Sequence, residues 1–263
     1  MRECFEEEGE FQKQTTKQDI AMTHLSVNVN KIALLRNSRG RDFPNVVDVA
    51  DKFCGLGVQG ITVHPRQDER HIKVKDTYDL AEFLSDKPDI EFNIEGYPSE
   101  RFLAIVQETQ PDQCTLVPDN ANQLTSDHGW DLIVHRREIA EIAARIRDFG
   151  VRVSLFLDAD IAQVELAAET GVDRIELYTE AYAAAYASGR YESVWKQYRE
   201  VALCSRRLGI GVNAGHDLDL NNLAKFLEIE DILEVSIGHA LIVECIESGM
   251  AEVIEKYLAI CRK

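Results

Sequence analysis

Eight short β-branched runs, each followed by a stretch with helical spacing of apolar residues, constrain this chain more than any other feature. The runs are HLSVNVN (24 to 30), GITVH (60 to 64), IEFNIEG (90 to 96), QCTLVPD (113 to 119), RVSLFLDAD (152 to 160), RIELYT (174 to 179), GIGVNAGH (209 to 216) and LEVSIGH (233 to 239). Between them lie segments such as VVDVADKFCGLG, ERFLAIVQETQ, IAEIAARIRDFG and WKQYREVALCSRRLG, whose apolar residues recur at helical intervals. Gly57, Gly150, Gly171 and Gly209 stand just before the next strand, where a left-handed residue closes a helix. Strict alternation calls for parallel strands joined by helical crossovers. Eight of each in 263 residues, with no linker-like break, fit an α/β fold built as a closed (β/α)8 TIM barrel better than an open doubly wound sheet. Counting elements does not show closure, so the open sheet stands as the alternative. Residues 120 to 137, containing Trp130, and 180 to 192, EAYAAAYASGRYE, exceed the minimal unit and are candidates for extra helices, lids or subunit contacts.

Composition narrows the class of partner. The formal charge of −17, from 46 acids against 29 bases, repels nucleic acid and an anionic membrane surface at long range, so an anionic substrate must be held by a local cluster of cations and backbone N–H groups. Six scattered cysteines without a CxxC pair fit a reduced, cytoplasmic setting. No apolar run reaches the length of a membrane span. Residues 1 to 21 read as a solvated tail, and 22 to 263 as a single catalytic barrel.

In such barrels the reacting groups sit where strands end, because the interior below is filled and the loops above vary freely. The strand ends of this chain carry Asn28 and Asn30, His64, Glu95, Thr115 to Asp119, Asp158, Glu176, Asn213 with His216, and His239. Taken singly, a strand-end histidine is more often structural than catalytic. Their recurrence at equivalent positions of several strands raises the functional reading. NAGHDLDLNN and SIGHALI pair a glycine with a turn into a helix, the place where barrels present amides and a helix dipole to phosphate. Arg36, Arg39, Arg66 and Arg70 add positive charge from the loops after the first two strands.

The motifs SVNVNKIALLRNSRG, GITVHPRQDERHI, FNIEGYP, TLVPD, SLFLDAD, RIELYTEAYA, VNAGHDL and SIGHALI together resemble the pyridoxine 5′-phosphate synthase family, from about residue 24 to the C-terminus. The resemblance implies a barrel with extra helices assembled as a homo-octamer, a tetramer of dimers. It implies the condensation of 3-amino-2-oxopropyl phosphate with 1-deoxy-D-xylulose 5-phosphate to pyridoxine 5′-phosphate, phosphate and water, with no metal and no organic cofactor. Carried over by motif, His64 and Glu95 would be general bases, His216 a general acid, and Glu176 a stabiliser of transition-state charge. Asn28, Arg39, Asp217, Gly238 and His239 would hold the aminooxopropyl phosphate. Asn30, Lys31, Arg66, His71 and Thr125 would hold the deoxyxylulose phosphate.

The chain departs from the family's pattern twice, with Asn30-Lys31 where many members carry Asp-His and Asp217 where they carry Gly. Lys31 can contact an anion but does not shuttle protons near neutrality as histidine does. A carboxylate at Asp217 is unfavourable beside phosphate unless backbone amides make the contact and the side chain turns away. The long polar loop NANQLTSDHGW is the candidate lid. Two rival readings stand beside this one: a divalent metal held by the histidines and carboxylates, as in sugar isomerases or hydrolases, and a non-enzymatic phosphate-ligand sensor.

Overall fold

A computed structural model of the protein describes residues 22–119 and 126–262. The expected tail (residues 1 to 21) and residues 120 to 125 of the candidate lid, Thr125 among them, lie outside the described residues. Eight strands, β1 (His24–Asn28), β2 (Gly60–Val63), β3 (Glu91–Gly96), β4 (Gln113–Leu116), β5 (Arg152–Leu157), β6 (Arg174–Tyr178), β7 (Gly211–Gly215) and β8 (Ile232–Ile237), pair in parallel in chain order. β1 pairs with β8, with Leu25 opposite Val235 and Val27 opposite Ile237, so the sheet is a closed barrel and not the open alternative.

Eleven helices surround it among the described residues: α1 (Asn30–Asn37), α2 (Val46–Gly55), α3 (Val74–Leu84), α4 (Glu100–Thr109), α5 (Leu132–Asp148), α6 (Ile161–Ala168), α7 (Glu180–Ala187), α8 (Glu192–Arg207), α9 (Leu223–Phe226), α10 (His239–Ser248) and α11 (Met250–Cys261). α7 is the extra helix expected over residues 180 to 192, whereas residues 126 to 131, the described part of the other long segment before α5, form none. Gly57, Gly150, Gly171 and Gly209 adopt φ of +94°, +82°, +75° and +76°, the left-handed closure expected of them. Caps fix several helix starts: Asn45, Ser99, Asp131 and Asp160 each accept a backbone N–H of the first turn through the side chain.

The first strand is shorter than the sequence suggests. It ends at Asn28, and Asn30 already opens α1. This corrects the placement of Arg36, expected in a loop facing the mouth. Arg36 lies on α1, buried, and its guanidinium donates to both oxygens of Asp76, at 2.5 and 2.7 Å. Asp76 also accepts the N–H of Lys73 at 2.8 Å, so the pair ties α1 to the start of α3.

Along each strand the side chains alternate between two environments. Leu25, Val27, Ile61, Val63, Ile94, Leu116, Leu155, Ile175, Leu177 and Val235 are buried beneath the helices and form the apolar layer that stabilises the fold. The opposite face is polar and fills the barrel axis. Ser26 and Thr62 hydroxyls meet at 2.8 Å, Thr115 donates to Asn93 at 3.0 Å, Asn213 donates to Gln113 at 3.3 Å, and Arg174 donates to Asn213 at 3.1 Å. Below them Glu91 pairs with Arg152. Buried polar groups are tolerable when they satisfy one another, and this ladder does so in part across the barrel axis, while Gln113 Nε2, Ser154 Oγ and Glu234 Oε1 are buried without a hydrogen-bond partner among the described residues.

Candidate active site

The polar ladder continues upward into the mouth, where the next residues of the same inward register are Asn28, His64, Glu95 and Glu176. His64 follows the last residue of β2 and is almost completely buried, with its Nδ1 3.9 Å from Glu95 Oε2 and its Nε2 3.9 Å from Asp119 Oδ2. Its backbone N–H donates to Asn30 Oδ1 at 2.9 Å. Asn30 N–H in turn donates to Asn28 Oδ1 at 3.0 Å, and Asn28 Nδ2 donates to Glu95 Oε2 at 3.3 Å. A chain of side-chain contacts thus registers the end of β1 against the ends of β2 and β3. Gly238 closes the ring from the β8 side, since a Cβ built there would lie 3.2 Å from that of Asn28.

On the other side of the mouth Glu176 stands buried beside Gly215, with one oxygen lacking a hydrogen-bond partner among the described residues. His216 follows β7 with its ring edge-on to Tyr178, centroids 5.0 Å apart. His216 and Asp217 both adopt left-handed backbone, φ +86° and +61°, and Asp217 Oδ2 lies 3.2 Å from His216 Nδ1. Thr179 secures this corner by donating its hydroxyl to the carbonyls of Gly215 and His216 at 2.7 and 2.5 Å.

Burial sets the electrostatics. Desolvation lowers His64 well below the ordinary histidine range, with the His71, Arg66 and Arg70 charges acting the same way, so its imidazole is neutral and able to accept a proton. His71 is pushed down to about 4 by burial and then by Arg66, Lys31 and Arg70. Glu95 is raised well above the carboxylate range by burial and by Glu176 and Asp119, and Glu176 is raised by burial to about 7 against the opposing pull of His216. The mouth therefore holds imidazoles whose charged form is disfavoured beside carboxyl groups whose protonated form is favoured. Such a set can both give and take protons, as general acid–base chemistry requires. Among the described residues no group of three or more His, Cys, Asp or Glu side chains is gathered as metal ligands would be.

A family model described as pyridoxal phosphate biosynthesis protein PdxJ matches residues 25–263, nearly the whole described chain. The chain belongs to the PdxJ family. It is similar to the pyridoxine 5′-phosphate synthase of Christiangramia forsetii, 49% identical over 242 residues, covering 92% of this chain and 100% of the relative. The synthase of Cytophaga hutchinsonii is 48% identical, with 92% and 100% covered, and that of Chelativorans sp. is 47% identical, with 90% and 98% covered. Among solved structures, orotidine 5′-monophosphate decarboxylase from Methanocaldococcus jannaschii superposes with a TM-score of 0.62 at 12% identity, covering 92% of this chain and 100% of that one. A mutant tryptophan synthase alpha-subunit from Pyrococcus furiosus gives 0.59 at 13%, with 92% and 97% covered, and both likenesses show the fold alone.

For this PdxJ-family chain, the structure brings Asn28, Asn30, His64, Glu95, Glu176, His216 and Gly238 to one end of the barrel. His71 stands near His64, ring centroids 6.2 Å apart, and Arg66 is buried with Asp119. Lys31 and His239 are exposed on the first turns of α1 and α10. Arg39 is not drawn into this cluster and lies exposed in the turn after α1. Of the two Gly-His turns expected to lead into helices, only Gly238-His239 does so directly, since α9 begins at Leu223, well past His216. Asp119 entered the sequence reading only as one of the polar strand ends. Its signal was TLVPD, a carboxylate one residue beyond a proline that follows the strand.

Proposed function

We infer that the chain is a pyridoxine 5′-phosphate synthase, condensing 3-amino-2-oxopropyl phosphate with 1-deoxy-D-xylulose 5-phosphate to pyridoxine 5′-phosphate, phosphate and water. The family and the identity of about half over the full length of its relatives support the reaction. The observation that carries the residue roles is the juxtaposition of the buried His64 imidazole with the Glu95 carboxyl group, Nδ1 to Oε2 at 3.9 Å.

Joining an amine to a ketone, expelling phosphate, closing a carbon–carbon bond and losing water demands proton transfer at several atoms. His64 and Glu95 act as general bases, His216 as general acid, and Glu176 stabilises developing charge, each worth roughly 10²- to 10⁴-fold. Asn28, Asp217, Gly238 and His239, with Arg39, hold the aminooxopropyl phosphate. Asn30, Lys31, Arg66 and His71, with Thr125, hold the deoxyxylulose phosphate. Two positions take a particular form. Asn30 spends its side-chain oxygen on the backbone of His64, so it serves the sugar phosphate through its amide group. Asp217 directs its carboxylate to His216, leaving its left-handed backbone to face a phosphate. Holding both substrates in one mouth adds the entropic share of catalysis.

The protein works in the cytoplasm as a homo-octamer, a tetramer of dimers. Exposed apolar side chains at Phe43, Ile133, Val134 and Ile246 support association. The test is direct: purified protein supplied with both phosphorylated substrates, without added metal, yields pyridoxine 5′-phosphate and free phosphate in equal amounts. Failure to form the product, or its formation only on adding a divalent metal, would contradict the reading.

A further inference from the structure

We propose that Asp119 is a positioning residue for the condensation, anchoring the Arg66 guanidinium and setting a carboxylate opposite Nε2 of His64. The inference rests on the reading of His64 as a general base, and its test separates the two.

Asp119 lies just past the mouth end of β4 and is 8% exposed. Its Oδ2 accepts from Arg66 Nη1 and from Ser126 Oγ, the latter at 3.0 Å, and stands 3.9 Å from His64 Nε2. Its Oδ1 is buried without a hydrogen-bond partner among the described residues. Burying a carboxylate costs several kcal/mol, on the order of the penalty for any desolvated ion, unless a partner compensates it. Packing alone would have favoured an apolar residue at such a position.

The imidazole of His64 is thus flanked on both nitrogens, by Glu95 of β3 and Asp119 of β4, each at 3.9 Å. Four further groups bear on it from its own loop: His71, Arg66 and Arg70 disfavour a charged imidazole, and Asp68 favours it. Burial, and then the neighbouring Glu176 and Asp119, disfavour the charged form of Glu95. When His64 takes a proton, the carboxylate that meets the new charge is Asp119, which also offsets the nearest guanidinium. One side chain thereby couples the strength of the base to the placement of the residue that holds the sugar phosphate.

The experiment compares Asp119→Asn, Asp119→Glu, His64→Asn and the double variant His64→Asn/Asp119→Asn by kcat and KM across pH, with folding checked by circular dichroism. Removing the charge weakens the base, so Asp119→Asn should lower kcat about tenfold or more and move the acid limb of the profile about one unit to lower pH. KM for deoxyxylulose phosphate should rise as Arg66 loses its anchor, and Asp119→Glu should restore part of both. In the His64→Asn background the second substitution should cost little further kcat, because partners in one unit are not additive. A loss of kcat with an unmoved acid limb, or a full additional loss in the double variant, would reduce Asp119 to a structural role and overturn the proposal. Full activity of His64→Asn would instead remove the general-base reading, and the proposal with it. Should Asp119→Asn fail to fold, Asp119→Ser is read by the same criteria.

Discussion

Asn28 touches two things at once: its Nδ2 donates to Glu95 Oε2 at 3.3 Å, and its Oδ1 accepts from the backbone N–H of Asn30 at 3.0 Å. The first contact orients a carboxyl group on β3, and the second fixes the start of α1. Asn28→Ala removes both while leaving the barrel intact. We expect kcat to fall about tenfold or more, the worth of roughly one good hydrogen bond, with the thermal midpoint changed little. Steady-state kinetics beside a melting curve check this.

Glu176 can be displaced without touching it. A Cβ at Gly215 would collide with Glu176 Oε1 and lie 3.1 Å from the Ser236 carbonyl. Gly215→Ala should therefore move the carboxyl and lower kcat by about 10²-fold, comparable to removing one preorganised charge-stabilising group. Wild-type kcat in a folded Gly215→Ala protein would argue against a role for Glu176.

Glu176 also ties stability to pH. Its carboxyl is raised by burial to about 7, above the ordinary value near 4.3 of an unfolded chain. Between those values the folded state holds a proton that the unfolded state has released, so stability is fully present below the lower value and is lost as pH rises through about 7. His71, lowered to about 4, acts oppositely: below the unfolded value near 6.5 the unfolded state binds the extra proton, and stability falls as the solution is acidified. In Glu176→Gln the loss of stability from pH 5 to pH 8 should be smaller than in the wild type, as denaturant melts at both values would register.

The pair between Arg36 and Asp76 is buried on both sides, 6% and 9% exposed. Removing one partner strands the other, so Arg36→Ala should cost about 3–5 kcal/mol of unfolding free energy. Replacing both by apolar residues of similar size should recover part of that loss. Chemical denaturation of the single and double variants measures both quantities.

The strands and the closing glycines were legible because period-two alternation and a left-handed residue are local properties of the chain. Residues at equivalent strand ends were legible for the same reason, and the structure gathers His64, Glu95, Glu176 and His216 at one end of the barrel. Contacts between distant segments were not. Arg36 looked like a mouth cation because nothing local shows that it turns to a carboxylate 40 positions away. α1 was read as part of the loop after the first strand because NVNKIALLRN passes from strand to helix with no glycine or proline between them. The polar ladder along the axis was written in the alternation of SVN, FNIE, RVS and VNAG, but an inward polar face is hidden when parallel strands are expected to be apolar on both sides.

The central claim is that imidazole and carboxyl groups from separate strands act as one acid–base set. Its most direct measurement is the rate of pyridoxine 5′-phosphate formation at saturating substrates by His64→Asn, Glu95→Gln and His216→Asn, each verified as folded. The account predicts that each loses at least about 10²-fold in kcat. Full activity in all three would contradict it, whatever product the wild type makes.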